Sequence, residues 1–97
     1  MNESIAPVIE RDDRWQLIAE FEADAGDDWM AGNRPGTFGC HELLDRTALV
    51  ADLLERHIRE HPACVQNEEW FRLASQAATA LHELYQQVGA AHLTVPT

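Results

Sequence analysis

Apolar residues recur at spacings of three and four along most of the chain, the signature of helices that each turn one face to a core. Leu17, Ile18, Phe21 and Ala25 form the first such series, and Asp12 and Asp13 before them suit a helix start by capping and by charge, so a first helix is predicted over about 12–25. Ile5, Val8 and Ile9 either extend it through Pro7, tolerated in a first turn, or form a separate arm. Gly and Pro then cluster over 26–39, where Gly26 reads as a helix stop and Arg34-Pro35-Gly36 as a turn. An ordered loop over 26–37 is expected, with Trp29, Met30 and Phe38 as buried anchors.

A second helix is predicted over about 38–61, capped by Thr37 or Gly39 and ended by Pro62. Its main apolar face carries Cys40, Leu43, Leu44, Thr47, Val50, Ala51, Leu54, Ile58 and His61. Leu49 and Leu53 make a separate stripe, so this helix needs two neighbours. Glu42–Arg46, Asp52–Arg56 and Glu55–Arg59 have the acid-before-base spacing of four, worth roughly 0.2–0.5 kcal/mol each. A third helix is predicted over about 67–90, with Asn67 as cap and Glu68 and Glu69 in its first turn. Its apolar series from Trp70 to Val88 covers about half the wheel.

The fold class expected is therefore all-α, in one domain over 1–97: a short N-terminal helix and a long antiparallel helical hairpin, in which residues summing to about 130 face one another. The first helix is too short to cover that hairpin. A half-cylinder of Trp, Phe, Leu and Tyr exceeds what a lone subunit usually exposes, so two hairpins are expected to pair as a four-helix bundle. The predicted interface is Leu49, Leu53, Trp70, Phe71, Ala74, Ala78 and Tyr85.

Composition narrows the partners. Of 97 residues, 45% are apolar and 25% charged, the balance of a globular domain. Seventeen acidic residues against seven basic ones give a formal charge of −10, which opposes direct contact with nucleic acid. No signal-peptide core stands in Met1 to Glu20 and no stretch has the length of a membrane span, so no membrane partner is expected and the expected location is cytoplasmic. Cys40 and Cys64 flank the second helix, about 30 Å or more apart, too far for an intrachain disulfide.

Candidate chemistry is sparse. Cys40-His41-Glu42 opens a helix, where a thiol is acidified, but the wheel turns Cys40 inward and His41 outward. His41 with Asp45, and His57 with His61, have the four-residue spacing of helical metal ligands, but a solvated pair and the helix dipole are the preferred accounts of them. The antiparallel arrangement brings His41, Asp45, His82 and Tyr85 toward one end. Residues 32–39 offer backbone N–H groups to an anion at the start of the second helix, without the lysine of a phosphate loop. No catalytic residue and no cofactor is assigned. The leading expectation is a non-enzymatic homodimeric module for protein–protein interaction, partnered by itself and by a larger protein docking on the nearly uncharged polar face of the third helix, Arg72, Ser75, Gln76, Thr79, His82, Glu83, Gln86 and Gln87. A metal- or cofactor-binding bundle using His and Asp is the second, and an acidic DNA mimic the third.

Overall fold

The computed structural model describes residues 5–26 and 28–94, with side chains from 13 onward. All regular structure among the described residues is helical. The sequence reads as one domain, whereas contacts gather in two compact units, Met1–Gly32 and Asn33–Thr97, divided within the Gly- and Pro-rich stretch.

The first unit holds α1 (Ile5–Ala25) and α2 (Asp28–Ala31). α1 begins seven residues earlier than Asp12, because Pro7 falls in the first turn, where no backbone N–H is needed. It ends at Gly26, whose φ of 63° is the left-handed conformation open to glycine, and whose N–H donates to Glu22 O at 2.9 Å. α2, a single turn inside the expected loop, is held to α1 by Phe21 stacked on Trp29, ring centroids 5.3 Å apart. Trp29 is half-buried, but Met30 and Phe38, expected as anchors, are exposed. For Phe38 the cause is rotational: nine positions before the buried Thr47, it stands on the opposite side of its helix.

The second unit begins with α3 (Phe38–Leu53), which passes directly into a π-helical segment, Leu54–Arg59. The spacing predicts a second helix that runs to His61. It stops short because His61 precedes Pro62, which excludes the α region; His61 is extended (φ −66°, ψ 135°), and Glu60 N–H reaches back five residues to Glu55 O. His61 then caps α4 (Pro62–Val65), its Nδ1 accepting from Ala63 N–H at 3.0 Å. α5 (Glu68–Leu93) starts at the expected cap: Asn67 Oδ1 accepts from Trp70 N–H at 3.0 Å. It runs through Gly89 to Leu93, and the Thr94 hydroxyl donates to Ala90 O at its end.

α3 and the π segment both pack on α5. Contacts run in opposite order along the two: His41 meets His92, Leu44 lies beside Gly89, Glu55 meets His82 and Arg59 meets Ser75. The pairing lies about one turn of α5 beyond a reflection that sums to 130, since the connection contains α4 and is longer than a plain turn. The core between them is built from small side chains, Cys40, Thr47, Ala51, Ala74 and Ala78, with the Thr47 hydroxyl donating to Leu43 O at 2.8 Å. No large side chain among the described residues is fully buried.

Candidate interaction surface

Burial selects one part of each wide apolar arc. On α5, Ala74 and Ala78 are buried and Phe71, Leu81 and Val88 half-buried, which marks the side against α3. Trp70, Leu73, Ala77, Ala80 and Leu84 lie on its flank and are exposed. On α3 the matching flank carries Leu43, Val50 and Leu53, and Ile58 follows in the π segment. Because the contacts run in opposite order, these flanks open on the same side of the second unit, and their large side chains keep 40–56% of their surface exposed. Near the π segment they enclose a mostly apolar groove of about 590 Å³, lined among others by Leu54, His57, Ile58, Trp70, Leu73 and Ala77.

The predicted interface residues divide accordingly. Leu49, Leu53, Trp70 and Tyr85 remain exposed. Ala74 and Ala78 are buried within the chain. Phe71 is half-buried beneath Arg59, whose guanidinium carbon stands 4.7 Å from the ring centroid. Leu73 and Leu84 lie outside the predicted interface, yet the alternation of three and four from Trp70 to Leu84 places them on the same flank. Leu43, Val50 and Ile58, which the spacing places on the main apolar face, are exposed.

The polar residues form two small groups instead of one. At one end His41 Nε2 lies 3.4 Å from Asp45 Oδ2, its ring 5.7 Å from that of His92, and Gly36 N–H donates to His92 Nδ1 at 2.8 Å. Nearer the middle, His82 Nε2 and Glu55 Oε2 are 2.5 Å apart, beside a depression of about 210 Å³ lined by Ala48, Ala51, Asp52, Glu55, His82 and Tyr85. Asp45 does not reach that depression; the register shift puts Glu55 there. Glu55 therefore does not pair with Arg59, which donates from Nε to Ser75 Oγ at 2.9 Å. The other expected pairs form, Arg46–Glu42 at 2.9 Å and Arg56–Asp52 at 2.7 Å, and Asp52 raises the Arg56 guanidinium above its ordinary value by hydrogen bonding and charge. Arg72 pairs with Glu69 and holds that carboxyl below its usual range, chiefly by hydrogen bonding.

These partners bear on each chemical candidate. Cys40 is buried and Cys64 half-buried, both as free thiols, and His41 is exposed beyond Cys40. His61 Nδ1 is engaged in capping α4 next to His57 in the same groove. Among the described residues no three His, Cys, Asp or Glu side chains converge as a metal set. Residues 32–39 do not form an open anion cradle: Gly36 N–H is taken by His92, Thr37 N–H by Arg34 O and His41 N–H by Thr37 O, while the Thr37 hydroxyl donates to Arg34 O. On α5, Arg72, Ser75 and His82 are engaged by Glu69, Arg59 and Glu55, and Thr79, His82, Glu83, Gln86 and Gln87 line a broad exposed hollow. Among the described residues no helix is long and apolar enough to cross a membrane. No protein-family model matches this chain, and no curated protein and no solved structure is detectably similar to it.

Proposed function

We propose that this chain is a non-enzymatic cytoplasmic interaction module that works as a homodimer. In this reading α3, with its π segment, and α5 form an antiparallel hairpin, and two hairpins pack by their apolar flanks into a four-helix bundle. One observation carries the proposal: Leu43, Val50, Leu53, Ile58, Trp70, Leu73 and Leu84 share one side of the second unit and are all substantially exposed. Half-exposed side chains of this size amount to about 500 Å² of apolar surface, above or near the largest patch a monomer ordinarily carries. It also matches the apolar share of the roughly 800 Å² that each partner buries in an interface of standard size.

The flank of Thr79, His82 and Gln86 lies away from that seam and remains open in the dimer as the place for a larger protein partner. Sedimentation velocity over a concentration series tests the dimer: the expected species has twice the chain mass, and Leu73→Asp shifts it to monomer with its helical signal retained. A parent that stays monomeric at the highest concentration overturns the reading. A second reading, mimicry of nucleic acid on a basic protein site, draws on the formal charge of −10. Partner binding that collapses at high salt distinguishes mimicry from apolar docking.

A further inference from the structure

We infer that the dimer seam is α5 of one copy laid antiparallel on α5 of the other, crossing between Ala77 and Ala80. The inference rests on the dimer proposed above and adds which helix it uses and in which direction. The exposed flank of α5 reads Trp70, Leu73, Ala77, Ala80, Leu84, Gln87, at intervals that alternate strictly between three and four. That mean period of 3.5 keeps one seam against a neighbouring helix over several turns.

A two-fold interface has to be complementary to itself. Reversing α5 about the point between Ala77 and Ala80 carries every seam position onto another: Leu73 faces Leu84, Ala77 faces Ala80 and Trp70 faces the uncharged Gln87. Helices inclined at about 20° are closest where they cross and separate on either side. The alanines stand at the crossing, the leucines one layer out and the tryptophans beyond them, so side-chain size grows with the gap to be filled. On the solvent side of the seam Glu83 faces Gln76, and no like charges meet. A parallel pairing sets Trp70 on Trp70 at one end and brings together the acidic first turns, Glu68 and Glu69, of two chains that each carry a charge of −10.

Mixed cross-linking tests the direction and the register together. In a Cys40→Ala, Cys64→Ala background verified to stay helical and dimeric, Leu73→Cys and Leu84→Cys chains are prepared separately. Oxidised alone, neither should cross-link, since each introduced thiol faces a leucine. Refolded together and oxidised, they should yield the statistical share of disulfide-linked heterodimer. Efficient cross-linking of either variant alone overturns the antiparallel seam, and a mixture that is dimeric but does not cross-link overturns the register; both leave the dimer standing. A monomeric parent overturns the dimer itself. Ala80→Glu, at a position exposed within the chain, should keep its helicity and weaken the dimer roughly tenfold or more, and undiminished association overturns the seam.

Discussion

Asn67 and Gly89 are both residues of types that mark helix ends, and only Asn67 marks one here. Asn67 sits in extended backbone and its side chain takes the Trp70 N–H, a bond between near neighbours that needs nothing from the rest of the fold. Replacing it with Ala should lower stability by about 1 kcal/mol, while Asp should lose much less; urea denaturation at one fixed protein concentration measures both. Glycine commonly follows a helix end, but α5 continues four residues past Gly89. A Cβ placed there meets Leu44 Cδ1 at 3.6 Å, ordinary packing distance. Gly89→Ala should therefore raise stability by about 0.5–1 kcal/mol through helix propensity, and a lowered denaturation midpoint would contradict that contact.

Among the elements, the π segment pairs differently from its sequence spacing. The spacing of Glu55 and Arg59 predicts a pair along one helix, but both side chains turn to α5 instead, Glu55 to His82 and Arg59 to Ser75 and the face of Phe71. Six residues are too few for a change of winding to show in hydrophobic periodicity, whereas the proline that ends the segment is plain to read. Arg59→Ala removes a hydrogen bond and a cation–π contact that tie the segment to α5, at a cost of about 1–2 kcal/mol. Hydrogen exchange should quicken over 54–60 first. An equal change along the whole of α5 would show that Arg59 supports the helix pair as a unit and not this segment.

For the molecule as a whole, charge and packing pull in different directions. Each chain carries a formal charge of −10, and the proposed seam contains no ionisable side chain, so association works against a repulsion that salt screens over roughly 10 Å at 0.1 M. Dimerisation should therefore tighten severalfold between about 0.02 and 0.5 M NaCl, read by sedimentation equilibrium; weakening over that range would mean that opposite charges hold the interface. Local chemistry settled much of this protein: helical identity, the cap at Asn67, the break before Pro62 and the Glu42–Arg46 and Asp52–Arg56 pairs all depend on residues within one or two turns of each other. Which part of each apolar arc turns inward was decided only in the folded unit. An arc that covers half a helix says that neighbours exist without saying where the nearest one sits. Here the buried positions are the small ones, Cys40, Thr47 and Ala51 on α3 and Ala74 and Ala78 on α5, and Trp70, Leu73 and Leu84 were left facing outward.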